Sequence, residues 1–386
     1  MAQRRLLSKS ADSLKSMMMK YYMDTHAQAR EGKFVVWIAI IVPVELLKGF
    51  DIVVAVPENH SAMCAARGAA VPQAEKAESA GYSQDLCSYA RIDIGTFMNG
   101  GEGSPVMGMP RPDLLVSNTN NCSLLTKWFD VHSREFGTPH FILDVPFCYG
   151  PQESRDLDYI VTQFHSLIDT ISEMTGQIFD LEKVRAAVRL SNEANRHWKR
   201  FMACAASHPA TVTAFDSFVH MAPYITAYRG TPELVEHCRL LADEAEQHAA
   251  NGEYPVPDEN YRLLWDNIAP WHQLRNMSSR LAEMKANIIY ATYTSSLGTI
   301  EGGVDLFEYD DTDPLETLAR IQNSSVCPYG LRLRFGAMSE MIGKFSPDGI
   351  IFTSNRSCKP YSVMQLDLQR MIREKFDIPT VMIDMD

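Results

Sequence analysis

After Lys33, the run Phe34-Val-Val-Trp-Ile-Ala-Ile-Ile-Val-Pro43 is apolar and largely β-branched, with no alternation. A strand with one wet face alternates polar and apolar residues. A strand without alternation is covered on both faces, the condition met in a parallel sheet packed between helices. The run is too short to span a bilayer, which takes about 20 apolar residues, and no other stretch of the chain comes closer. Similar buried-strand patterns follow at residues 51–57, 113–117 and 140–145, separated by helical segments at 44–48 and 124–136. A later set occupies 287–292, 348–354 and 378–384, with a helix over 362–376.

Residues up to about 31 read as a helix, and 153–252 are overwhelmingly helical, with Ile160, Phe164, Leu167, Ile168 and Ile171 at helical spacing. Asp180 and Thr231 are expected helix N-caps, Thr231 being followed by Pro232 at the first helical position. No internal repeat stands out. The alternation of strand and helix predicts an α/β protein. The expected architecture is two Rossmann-like, doubly wound parallel-sheet domains, residues 1–152 and 286–386, with a mainly helical segment over 153–285.

The net charge of −12, scattered along the 386 residues, argues against nucleic acid, which requires a basic stripe. No signal-peptide core is present, so a cytoplasmic location is expected. In that compartment the eight cysteines are expected to be buried thiols or ligands rather than disulfides. There is no CxxC pair and no closely spaced ferredoxin-type run, so any cluster must gather ligands from distant loops.

Three cysteines stand apart by position. Cys122, in Ser117-Asn-Thr-Asn-Asn-Cys122, and Cys358, in Phe352-Thr-Ser-Asn-Arg-Ser-Cys358, each follow a predicted strand and open a predicted helix. Cys87 ends the polar stretch Gly81-Tyr-Ser-Gln-Asp-Leu-Cys87, also ahead of a helix. The carboxyl ends of strands are where open α/β sheets carry their sites, and helix N-termini favour thiolates. Three thiolates suit a 4Fe–4S cluster with one iron left open. Cys64, Cys204 and Cys238 read as core thiols, as do Cys148 and Cys327, although these two fall in loops.

Several stretches resemble the 2-hydroxyacyl-CoA dehydratase and benzoyl-CoA reductase family. They are Val56-Pro-Glu-Asn59, Ala77-Glu-Ser-Ala-Gly-Tyr-Ser83 with Cys87-Ser-Tyr-Ala-Arg91, Pro110-Arg-Pro-Asp113, Cys122 with Lys127-Trp128, and Asn355-Arg-Ser-Cys-Lys359. The likeness is greater to the dehydratase α-subunits than to the corresponding reductase component, and it extends over most of the chain.

The resemblance implies an oxygen-sensitive heterodimer of two related subunits with a cluster between α/β domains. It also implies a separate ATP-hydrolysing iron–sulfur activator that injects one electron. In the dehydratases that electron converts the acyl-CoA thioester carbonyl to a ketyl radical anion, so that an α-hydroxyl and a non-acidic β-proton are lost and the electron is returned. The reductases dearomatise a benzoyl ring instead. Carried across, Cys87, Cys122 and Cys358 are the expected ligands of the 4Fe–4S cluster. Glu58 in Pro57-Glu58-Asn59 is the expected proton-handling carboxylate, the alternative being a loop or N-cap residue.

Two departures bear on the reaction. The dehydratases carry a serine-rich stretch ahead of the proline of the first strand, and here Ile40 of Trp37-Ile-Ala-Ile40 stands where its last hydroxyl belongs. Isoleucine can neither donate a hydrogen bond nor relay a proton. Family members also run on past the Asp384-Met385-Asp386 region, so the last strand is expected to leave a sheet face for another element to cover. The expected activity is 2-hydroxyacyl-CoA dehydration. Reduction of an aromatic acyl-CoA, or a non-catalytic iron–sulfur role beside a catalytic homologue, are the alternatives.

Overall fold

The computed structural model describes residues 6–295, 297–299, 302–324 and 330–385. Four parallel strands, β1 (Val35–Ile38), β2 (Val53–Ala55), β3 (Leu114–Asn118) and β4 (His140–Leu143), form a first sheet in the order β2-β1-β3-β4. Four more, β5 (Tyr261–Asp266), β6 (Ala286–Ala291), β7 (Gly349–Asn355) and β8 (Thr380–Met385), form a second in the order β6-β5-β7-β8, again parallel. As the unbroken apolar runs require, every residue of β1, β2, β3 and β6 is buried.

Strand β1 stops short of the predicted run. Ala39 still donates to the Val116 carbonyl at 2.9 Å, but Val42 then closes a turn onto the Ala39 carbonyl at 2.9 Å. Pro43, which has no N–H to continue a ladder, precedes the short helix Val44–Leu47. Beyond Ile38, Ala39 and Val42 stay in the core, while Ile40 and Ile41 face a crevice rather than extend the sheet.

The second sheet takes its central strand from β5, inside the stretch read from sequence as mainly helical. Arg262 and Asp266 hide the strand because charged residues are unexpected in a buried parallel sheet. Both are bonded in place: Arg262 donates to Glu259 at 2.7 Å and to the Ala205 and Ser207 carbonyls at 2.8 Å each. Asp266 accepts from Arg334 at 2.8 Å and from Gln365 at 2.9 Å. The shared strand order also makes the second sheet a topological repeat of the first, which inspection of the sequence does not reveal.

The helices between the sheets divide their side chains between two cores. Within the helix Leu181–Ala203, Val184 and Val188 pack with the first sheet, and Trp198, Phe201 and Met202 with the second. Asp180 and Thr231 are N-caps as expected, accepting from the backbone of Glu182 and Lys183, and of Leu234. Among the described residues no helix is long and apolar enough to cross a membrane.

In each sheet the first strand is central, the second lies on one side and the third on the other. The connections diverge there, opening a crevice at the carboxyl ends of the first and third strands. The two crevices meet in one cavity.

Candidate functional site

The cavity is open in part to solvent, and with that open space included it measures about 1210 Å³. Ile40 and Ile41 reach it from the end of β1, Asn121 and Cys122 from the end of β3, Ile268 from the end of β5 and Cys358 from the end of β7. Cys87 and Glu58 line it as well. All four residues singled out by sequence thus border one space, although they arise in chain segments separated by as much as most of the sequence.

Each of the three cysteines is an N-cap: Cys87 of the helix Ser88–Met98, Cys122 of Ser123–Phe136 and Cys358 of Lys359–Phe376. A helix N-terminus carries partial positive charge, which favours a thiolate over a thiol. The supporting loops are tied down. Asn120, two residues before Cys122, donates to the Gln322 carbonyl at 2.7 Å and accepts from the Gln322 amide at 3.1 Å. Arg356, two residues before Cys358, binds both oxygens of Asp384 at 2.8 and 3.0 Å.

The remaining described cysteines do not line this cavity. Burial pushes the Cys64 thiol up to about 11 and the Cys238 thiol up to about 12, and it raises that of Cys204. Cys148 is buried and donates to the Gly150 carbonyl at 3.1 Å. Cys327 lies outside the described residues.

Thiolates are soft donors that suit iron–sulfur clusters and other thiophilic metals. Among the described residues no three His, Cys, Asp or Glu side chains converge tightly enough to hold a single metal ion. The donor set, three thiols on one cavity, fits a cubane cluster in its chemistry.

Glu58 is neither an N-cap nor a loop residue. It sits in the first turn of the helix Pro57–Ala66, whose first position is the proline. The Ile40 N–H donates to its Oε1 at 3.0 Å, while the buried Oε2 has no hydrogen-bond partner. Burial dominates its titration and raises the carboxyl to about 7, despite the Ile40 bond. A carboxyl raised toward neutrality suits an acid–base group. Ile40 therefore contributes a backbone donor to Glu58, and its side chain gives the cavity an apolar surface where the resemblance implied a hydroxyl.

Three further parts of the site carry little or no signal in the sequence. Tyr89, the second residue of the helix that Cys87 caps, accepts from the Trp271 indole and lies close to Tyr293, Cys87 and Cys358. Desolvation, and then those neighbours, push its phenol well above the ordinary tyrosine range, so it stays protonated. Arg229 donates through Nη2 to the carbonyls of Val42 at 2.6 Å and Ile40 at 3.3 Å, fixing the turn that follows β1. Trp128 walls the cavity while its indole N–H donates to buried Asp93 at 2.8 Å, and His132 meets the same Asp93 oxygen at 2.6 Å. Trp128 stands in one of the family-like stretches, but isolated residues such as Asp93 and Arg229 carry no sequence signal until the fold assembles them.

The chain is similar to several known proteins. A family model described as 2-hydroxyglutaryl-CoA dehydratase, D-component, matches residues 39–386. The (R)-phenyllactyl-CoA dehydratase alpha subunit of Clostridium sporogenes is 31% identical over 364 residues, covering 93% of this chain and 86% of the relative. The (R)-2-hydroxyisocaproyl-CoA dehydratase alpha subunit of Clostridioides difficile is 30% identical over 376 residues, covering 97% and 89%. A benzoyl-CoA reductase subunit of Thauera aromatica is 27% identical over 351 residues, covering 89% and 81%.

Proposed function

The chain belongs to the 2-hydroxyglutaryl-CoA dehydratase D-component family, and from that premise we propose that it is the cluster-bearing, α-type subunit of a cytoplasmic 2-hydroxyacyl-CoA dehydratase. Its product is the enoyl-CoA, formed by loss of water. The observation that carries the reading is the meeting of Cys87, Cys122, Cys358 and Glu58 on one cavity between two sheets. Relatives named as alpha subunits support a second subunit as partner. The family resemblance adds an ATP-dependent iron–sulfur activator that delivers one electron.

In this reading Cys87, Cys122 and Cys358 hold a 4Fe–4S cluster. When bound, that group supplies one-electron chemistry and Lewis acidity toward a substrate oxygen. The protein's own residues do the rest. Glu58, fixed at Oε1 by the Ile40 N–H, holds or accepts a proton at the unpartnered Oε2, where the hydroxyl leaves or the β-proton departs. Trp128 and the isoleucines exclude water from the acyl group, which strengthens electrostatic interactions inside the cavity.

A second reading, reduction of an aromatic acyl-CoA, is favoured by the apolar Ile40 side chain in the cavity wall. A non-catalytic iron–sulfur role beside a catalytic homologue is disfavoured by the buried, proton-exchanging Glu58. The test is turnover by the anoxic two-subunit protein with activator and ATP. Water loss from a 2-hydroxyacyl-CoA supports the leading reading. Consumption of benzoyl-CoA alone moves the assignment to the reductases, and turnover of neither, with the cluster present, leaves only the non-catalytic role.

A further inference from the structure

The helices opened by Cys87 and Cys122 are joined to each other by a buried polar bond. Asp93 on the first and Trp128 on the second each lie six residues after the capping cysteine. At a helical rise of about 1.5 Å per residue, both sit about 9 Å below their cap. The Trp128 indole N–H donates to Asp93 Oδ2 at 2.8 Å, and Nε2 of His132, one turn further along, meets the same oxygen at 2.6 Å. The other oxygen, Oδ1, faces His60 Nδ1 at 3.8 Å. His60 stands two residues after Glu58 on the helix Pro57–Ala66, and its Nε2 lies 2.9 Å from the Ser104 hydroxyl. All four side chains of this group, Asp93, Trp128, His132 and His60, are buried. One carboxylate thus meets the helices that begin at Cys87 and Cys122 and the helix that carries Glu58.

Apolar side chains of similar volume often stabilise a core as well as a buried carboxylate does. Phe97 already supplies such packing between the same two helices, its ring centroid 5.7 Å from that of His132 and 4.7 Å from that of Phe136. What the bond to Asp93 adds is direction. An N–H···O contact weakens steeply off its axis, so it fixes how far one helix is displaced along the other. We propose that Asp93 is a positioning residue, which acts through Trp128 to hold the helix ends at Cys87 and Cys122 in register for one shared cluster. The inference rests on the reading of those cysteines as cluster ligands.

The test is the rate of iron release to an excess of ferrous chelator, together with the EPR spectrum of the reduced cluster, on the full chain purified without oxygen. Trp128→Phe and Asp93→Leu remove the bond from either end, whereas Asp93→Asn keeps an oxygen to accept it. Asp113→Ala loses a bond in the same sheet at a residue that does not line the cavity, and is the reference for lost stability alone. Trp128→Phe and Asp93→Leu are expected to release iron about tenfold faster than the native chain, the scale of one hydrogen bond to a charged group, and to shift or broaden the EPR signal. Asp93→Asn and Asp113→Ala are expected within about threefold of the native rate, with the native spectrum. Native rates and spectra in both bond-removing variants overturn the proposal. So does a change in Trp128→Phe alone, which assigns the effect to the cavity wall, or an equal change in Asp93→Asn, which assigns it to charge. An equal change in Asp113→Ala, which assigns it to stability, also overturns it. If Asp93→Leu does not fold, the contrast between Trp128→Phe and Asp93→Asn decides by the same limits. A native chain without iron and sulfide fails the cluster reading itself, and the inference with it.

Discussion

The two sheets are built by the same local devices. Each third strand is entered through a Pro-Asp pair, Pro112-Asp113 before β3 and Pro347-Asp348 before β7. In each pair the aspartate closes the same ring onto the first strand. Asp113 accepts from the Val35 N–H at 2.8 Å and donates its own N–H to the Val35 carbonyl at 2.8 Å. Asp348 does both with Arg262, again at 2.8 Å. Each third strand leads to a cysteine that N-caps a helix. Both helices end on a left-handed residue, Gly137 or Asp377, two positions before a proline. Pro139 and Pro379 then accept from Leu115 and Ile350 at 3.0 Å.

The halves part company in their carboxyl groups. Glu58 of the first has one oxygen with no partner and titrates near neutrality. Asp266 of the second is locked by Arg334 at 2.8 Å, Gln365 at 2.9 Å and Thr292 at 3.0 Å. A repeated scaffold thus sets one capping cysteine after the third strand of each copy, while of these two carboxyls Glu58 is the under-bonded one. Asp266 serves stability instead, holding Arg334 where its guanidinium lies 4.5 Å over the Tyr361 ring.

The largest effect expected from breaking this contrast is at Asp266. Asp266→Asn removes the carboxylate facing a buried guanidinium, and the second half should lose about 3–5 kcal/mol in chemical denaturation. A loss below about 1 kcal/mol would show that the network is not the anchor described here.

Glu58→Gln should behave in the opposite way. It keeps an acceptor for the Ile40 N–H but removes the titration, so turnover should fall by about 10²–10⁴ with iron content unchanged. Stability should rise rather than fall. The folded-state value near 7 lies above the ordinary 4.5, so the folded state binds the proton more tightly. The native protein therefore loses stability as pH climbs from about 4.5 to 7, and above that range the loss is constant. The variant escapes this penalty, on the order of 3 kcal/mol above pH 7 and none below 4.5, measurable as the difference between the two unfolding-versus-pH curves.

The smallest effects sharpen the likeness. Asp113→Ala and Asp348→Ala each remove a side-chain acceptor from a first-strand N–H and should cost about 1–2 kcal/mol apiece, within a factor of two of each other. Strongly unequal costs in denaturation would mean that the two rings are alike in geometry only.

Much of this was open to sequence reasoning. The unbroken apolar runs at β1, β3, β6 and β7 could only be parallel strands covered on both faces, and cysteines just past two of them pointed to the crevice. What stayed hidden has physical causes. Strand β5 carries Arg262 and Asp266, whose burial makes sense only when Glu259, Arg334 and Gln365 arrive from elsewhere in the chain. The repeat survives in punctuation, a Pro-Asp, a capping cysteine and a proline after a left-handed residue, and not in side-chain identity. Arg229 and Asp93 are single residues with no spacing to betray them, and Tyr89, although inside the family-like stretch Cys87-Ser-Tyr-Ala-Arg91, has nothing to mark it as a neighbour of Trp271 and Cys358. Glu58 was legible as a candidate, but its helical seat and its unpartnered oxygen were not.

The central claim is that thiols from both sheets hold one iron–sulfur group. It is tested most directly by iron and acid-labile sulfide content after anoxic purification, compared across cysteine variants. The account predicts about four irons and four sulfides per chain in the native protein. It predicts loss of both in Cys122→Ser and Cys358→Ser alike, and full retention in Cys204→Ser and Cys238→Ser. Full iron and sulfide in all four variants, or a native protein that holds zinc instead, would contradict it.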